Sequence, residues 1–113
     1  MGFFSKKRED SPEFRRKMAK KLTGKSLRYV SERVVNKESA ELDETVIGKN
    51  GFFFIDANDN LGIKCENGIV FRARITELSI SELLSLEGAI LNGYDLETAK
   101  QRQVVAYYVY HRK

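Results

Sequence analysis

The 113-residue sequence predicts an α+β domain: a strongly twisted antiparallel sheet or small β-barrel of six to seven strands, with one amphipathic helix at its N-terminal end. Three observations carry this. Two Asn-Gly dipeptides, Asn50-Gly51 and Asn67-Gly68, stand between apolar runs, the strongest short-range hairpin signal. Residues 69–75 alternate, with Ile69, Phe71, Ala73 and Ile75 to one side and Val70, Arg72 and Arg74 to the other, the pattern of a sheet with one core face and one wet face. The clearest helical stripe, Phe14, Met18 and Leu22 with Ala19 beside Met18, is confined to the first quarter of the chain.

Taken in order, residues 1–10 predict a flexible basic arm and residues 11–113 one globular domain, with a helix over 12–22 and a β-rich part over 27–111. Ser11-Pro12-Glu13 reads as a helix start: a hydroxyl to cap an orphan N–H, proline at the first helical position, and an acid at the positive helix end. Gly24 is a natural stop. A helix this short is not stable alone, so it must dock. Residues 27–35, 44–47, 52–55, 61–66, 69–75, 89–94 and 103–111 read as strand segments, with turns at 37–43, 56–60 and 95–100. Ser79-Ile80-Ser81-Glu82 matches a capping box and predicts a short helix near 80–87, with a bulged strand as the competing reading.

The last strand is apolar on both sides: Val104, Ala106, Tyr108 and Tyr110 on one face, Val105, Tyr107 and Val109 with His111 on the other. Two such faces call for cover on both, and the helix over 12–22 is the evident cover.

Charge is segregated. Residues 1–28 hold ten Lys or Arg against three acids, or +7, and the remaining 85 residues hold ten bases against thirteen acids, or −3. Such a division concerns partners more than fold. Phe3, Phe4, Lys6, Lys7, Arg8, Arg15, Arg16 and Lys20 are therefore the candidate partner-binding residues, for an acidic protein or an anionic membrane surface. Nucleic acid is a weaker candidate for the same segment, because the rest of the chain is acidic. A homodimer built on exposed sheet surface is a further alternative.

Several chemistries find no support. Asp56-Ala57-Asn58-Asp59-Asn60-Leu61-Gly62 begins like a calcium loop, but Leu61 stands where glycine is required and Asn67 where glutamate is, so it reads as a hairpin turn. Met1-Gly2 lacks the Ser or Thr of a myristoylation motif, since position 6 is Lys6. One cysteine, Cys65, and one histidine, His111, are too few for a zinc site, and Cys65 falls on the core face of its strand. No phosphate loop, dinucleotide fingerprint or nucleophile elbow is present. The expectation is a non-enzymatic protein with no catalytic residues, cofactor or metal. The lone cysteine and the absence of a secretory signal make the cytoplasm its expected compartment, with peripheral membrane contact. Lys64, Arg72, Arg74 and Arg102 offer a weaker basic patch, and Tyr107, Tyr108 and Tyr110 a platform for stacking bases.

The opening Met-Gly-Phe-Phe-Ser-Lys-Lys, the pattern Val70-Phe71-Arg72-Ala73 followed by Glu82-Leu83-Leu84-Ser85-Leu86-Glu87-Gly88, and the closing Val-Val-Ala-Tyr-Tyr-Val-Tyr-His-Arg-Lys resemble small bacterial cytoplasmic proteins of unknown function. The run of short strands is also similar to bacterial pleckstrin-homology-like barrels, which close with a C-terminal helix where this chain ends in a strand. The resemblance implies a β-barrel-like binding module and assigns no residue a role.

Overall fold

Ser11 begins the helix as its neighbours require. Its hydroxyl accepts from Phe14 N (3.1 Å), Pro12 follows at the first helical position, and α1 runs Pro12–Leu22 with Lys20 and Lys21 in the last turn. The structure is a computed structural model and describes residues 11–109. Ala19 and Leu22 are fully buried while Phe14 and Met18 are half-buried, so the stripe is a docking face. It packs on a 3-10 turn, Ile75–Glu77, and on the neighbouring strand Ser79–Glu82.

Seven strands follow among the described residues: β1 Ser26–Val35, β2 Leu42–Ile55, β3 Asn60–Cys65, β4 Gly68–Arg74, β5 Ser79–Glu82, β6 Gly88–Asp95 and β7 Lys100–Tyr108. They form one antiparallel sheet in the order β4-β3-β2-β1-β7-β6-β5. β1 to β4 are a meander. The chain then passes through the 3-10 turn to the far edge, and β5, β6 and β7 return inward until β7 pairs with β1. The sheet curls into a half-barrel around Leu27, Val30, Phe53, Leu61, Ile63, Phe71, Leu78, Leu91 and Val104, with Ala19 and Leu22 of α1 in the same core. Its two ends approach where the β6–β7 turn lies against β4. Leu96 N donates to Arg72 O (2.7 Å), and Arg72 N donates to Asp95 Oδ1 (3.0 Å). These bonds satisfy an edge that would otherwise invite pairing with another chain.

Four expectations are corrected. The helix near 80–87 is absent: Ser79–Glu82 is β5, with Ile80 opposite Leu91 and Ser79 and Ser81 exposed. Residues 79–82 alternate with period two, and the free edge of β6 gives that period ladder partners, so pairing outweighs the local capping signal. Asn50-Gly51 makes no hairpin. Asn50 does take a left-handed φ of 52°, but β1 pairs on both sides of it, Tyr29 with Lys49 and Leu27 with Gly51, and β2 continues through as a kinked strand. Ile69 does not reach the core. The register shifts between Ile63 and Lys64, leaving Phe71 and Ala73 inside and Ile69 in solvent. Among the described residues no helix covers the convex face of β7. Val105 is buried there among cross-strand neighbours Ser31 and Ile90, beside Tyr107, whose ring stacks on Tyr29 at 4.6 Å. Asn67-Gly68 does form its hairpin, with Gly68 at φ 107°. The three phenylalanines divide as alternation demands: Phe53 enters the core, Phe52 is exposed, and the ring of Phe54 lies over Gly62, where an added Cβ would stand 2.3 Å from its tip.

The kink depends on Gly51. A Cβ there would stand 2.5 Å from Lys64 O and 2.7 Å from Cys65 Sγ, and the first of these is backbone that cannot step aside. Gly51→Ala is expected to destabilise the fold by about 1–3 kcal/mol, the range for forced overpacking, read as a lower urea midpoint with an unchanged slope.

Candidate anionic-surface binding site

The predicted partner-binding residues divide into three groups. Phe3, Phe4, Lys6, Lys7 and Arg8 lie outside the described residues. Arg15 and Arg16 are drawn into the fold: Arg15 donates to Thr76 O on the 3-10 turn, and Arg16 forms a bidentate contact with Asp59 Oδ2 (3.2 and 2.9 Å). Lys20 is exposed, as is Lys17, and neither forms an ion pair among the described residues. Because Ala19 and Leu22 hold the opposite side of α1 in the core, these two ammonium groups are fixed toward solvent.

The basic surface continues beyond α1. Lys21 Nζ stands 3.6 Å from Glu82 Oε1 at the end of β5. Lys25 Nζ lies 4.9 Å from the centre of the Tyr108 ring, a cation–π contact. Arg28 Nε donates to Tyr108 O (2.7 Å). Lys25 and Arg28 line an open cleft of about 570 Å³ whose far wall is Ser85, Leu86 and Glu87 of the β5–β6 loop and whose base includes Tyr108. Tyr108 donates its hydroxyl to Glu82 Oε2 (3.2 Å), and burial, with the Glu82 charge behind it, raises the phenol well above its ordinary range. It stays neutral and serves the cleft as a floor. The basic run at the head of the sequence contained Lys25 and Arg28, but nothing in the pattern showed that the α1–β1 link and β1 would bring them to the same cleft as Ser85, Leu86 and Glu87.

Two other arginines are ties within the fold. Arg102, only 9% exposed in its side chain, binds Glu32 through Nε (3.1 Å) and Nη2 (2.8 Å), and reaches Asp95 Oδ2 (2.7 Å) and Val70 O (3.1 Å) through Nη1. Arg72 pairs with Glu97 (2.9 Å) and Asp56 (3.5 Å). The weaker basic patch that Lys64, Arg72, Arg74 and Arg102 offered does not form: Arg102 and Arg72 are structural ties, and only Lys64 and Arg74 remain exposed. Tyr107 and Tyr108 share no stacking platform, as the alternation along the strand implied. Tyr107 and Tyr108 occupy opposite faces of β7, with Tyr107 donating to Glu44 (2.6 Å), and Tyr110 lies outside the described residues.

Asp56-Ala57-Asn58-Asp59-Asn60 is the β2–β3 turn. Asp56 accepts from Asn58 N (2.9 Å) and Asn60 N (3.1 Å), and the Asn60 side-chain bond leads the causes that hold its carboxyl below the usual range. Cys65 is buried in a notch formed by Gly48 and Gly51, and burial, with some help from Glu66, pushes its thiol up, the opposite of an activated nucleophile. Among the described residues no group of three or more His, Cys, Asp or Glu could hold a metal ion, and no helix is long and apolar enough to cross a membrane. No protein-family model matches the sequence, and no curated protein matches it.

Proposed function

We propose that this protein is a non-enzymatic binding module that docks reversibly on an anionic membrane surface through its basic N-terminal segment. The observation that carries the reading is the pair Lys17 and Lys20, held outward by a helix whose other side is core and without ion-pair partners among the described residues. Near an anionic surface each such charge contributes roughly 1 kcal/mol. Phe3 and Phe4 stand directly before Lys6, Lys7 and Arg8 in sequence and suit an interface that takes both rings and cations. An acidic protein offers the same charge without the apolar layer. Nucleic acid has less in its favour, because Tyr107 and Tyr108 do not share a face. The site of action is the cytoplasmic face of the bilayer, and the reading needs no cofactor.

The test is co-sedimentation of the full chain with vesicles. Vesicles rich in phosphatidylglycerol are expected to bind it, and vesicles of phosphatidylcholine alone are not. The bound fraction should fall steeply between about 0.05 and 0.5 M salt, as the screening length drops toward a few ångströms. No binding at low salt, or equal binding to both vesicle types, would overturn the reading.

A further inference from the structure

The β5–β6 loop carries two leucines that the fold does not use. Leu84 is 104% exposed and Leu86 68% exposed. The loop's backbone is closed without them: Leu83 N donates to Gly88 O (2.9 Å), Leu86 N to Leu83 O (2.8 Å), and Glu87 N to Ser85 Oγ (3.3 Å). Leu86 also sits at φ 64°, a left-handed conformation that favours glycine or asparagine and strains a leucine. A turn selected only for its shape would not place leucine there.

Other apolar side chains are exposed, Phe52 and Ile69 beside Lys64 among them, and the apolar end of the β1–β2 hairpin differs from the loop in its charge. Val34, Val35 and Leu42 stand at the end of the β1–β2 hairpin, with Glu38, Glu41, Asp43 and Glu44 nearby in the same hairpin. The β5–β6 loop has the opposite setting. Lys21 reaches Glu82 on its first leg, and Lys25 and Arg28 face its second leg across the cleft. These three cations exceed the two acids, Glu82 and Glu87, that flank the leucines.

We propose that Leu84 and Leu86 enter the boundary between headgroups and acyl chains of an anionic bilayer, with Lys21, Lys25 and Arg28 at headgroup level around them. This rests on the membrane reading and adds to it an insertion element and an orientation. An apolar tip with a basic collar matches the order of the layers it meets. The lipid phosphates would occupy the mouth of the 570 Å³ cleft, beside Lys25 and Arg28.

The chain contains no tryptophan, so Leu84→Trp introduces a single reporter, and Leu42→Trp places the same reporter at the acidic hairpin end. On phosphatidylglycerol vesicles the emission of the Leu84→Trp protein should shift to the blue and be quenched by brominated acyl chains, while that of Leu42→Trp should not change. The double variant Leu84→Ser, Leu86→Asn should bind these vesicles roughly tenfold or more weakly, from the apolar burial lost at two leucines. Its melting temperature should be equal or higher, since asparagine tolerates the left-handed φ. If wild type binds the vesicles but the Leu84→Trp emission is unshifted, or the double variant binds as wild type does, the insertion proposal is overturned and the docking reading stands. If wild type does not bind them, both fall.

Discussion

Replacing Asp95 with alanine is expected to destabilise the fold by up to about 3–5 kcal/mol, the range for removing one partner of a buried ion pair. Domains of this size hold roughly 5–15 kcal/mol in all, so the loss is a large share of the whole. Asp95 is fully buried where β6, the β6–β7 turn, β4 and β7 meet. Its Oδ1 accepts from Arg72 N (3.0 Å) and Glu97 N (3.1 Å), and its Oδ2 from Thr98 N (3.1 Å), the Thr98 hydroxyl (2.7 Å) and Arg102 Nη1 (2.7 Å). One carboxylate thus shapes the turn, anchors the end of the curled sheet and neutralises an arginine that is itself nearly buried. Removing it leaves the Arg102 guanidinium with Glu32 as its remaining acid. Urea unfolding followed by circular dichroism reads the loss, and a change below about 1 kcal/mol, the worth of one ordinary hydrogen bond, would show that the turn is held by its backbone alone.

The same carboxylate predicts an acid dependence. Burial alone would raise the carboxyl of Asp95, but the Thr98 hydroxyl, Arg102 and the backbone N–H groups of Arg72 and Glu97 outweigh it and hold it below its ordinary value. A depressed folded value means that the unfolded chain binds the proton more readily. The stabilisation is therefore fully present above the unfolded value of about 3.9 and is lost as pH falls through the lower folded value. Glu44, bonded first by the Tyr107 hydroxyl and then by Arg33, is shifted in the same direction, as is Asp56. Wild-type stability should stay level from about pH 5 upward and decline below about pH 4. The Asp95→Ala protein, already lacking this contribution, should decline less over the same range.

What the sequence made legible was what depends on neighbours along the chain. The helix start at Ser11-Pro12-Glu13, the hairpin at Asn67-Gly68 and the Asx turn at Asp56 are each completed by residues within four positions. The strand-rich class and the burial of Cys65 followed from alternation, which is also local. The features missed were decided by distant partners. Asn50 takes the left-handed geometry its Asn-Gly context suggested, yet β1 runs past both sides and turns the signal into a kink. Ser79–Glu82 carries a helix cap, yet β6 supplies a ladder. Arg72 and Arg102 look like a surface patch in one dimension. They become ties only because Asp56, Glu32 and the pair Asp95 and Glu97, drawn from three other places in the chain, converge on them. For the candidate site, the sequence showed a basic head without showing that Arg15 and Arg16 would be spent on Thr76 and Asp59, or that residues 85–87 would face Lys25 and Arg28.

That difference between total charge and free charge supports the largest functional prediction. Lys17→Glu with Lys20→Glu takes the formal net charge from +4 to 0, since each reversal removes two units. Lys37→Glu with Lys100→Glu takes it to the same 0, at two exposed positions, one in the β1–β2 turn and one at the start of β7. If docking followed net charge, the two proteins would bind phosphatidylglycerol vesicles equally. If it follows the outward face of α1, only the first pair matters. At roughly 1 kcal/mol per unit charge near the surface, four units correspond to about a thousandfold loss of affinity at low salt, narrowing as salt is added. The helix should survive, because both lysines are exposed and the packing rests on Ala19 and Leu22. Placing acid at position 20, in the last turn, should cost only about 0.3–1 kcal/mol against the helix dipole. Equal weakening in the two proteins would move the site off α1. Weakening confined to the first pair would fix the side of the helix that faces the bilayer, and with it the side from which Leu84 and Leu86 must approach.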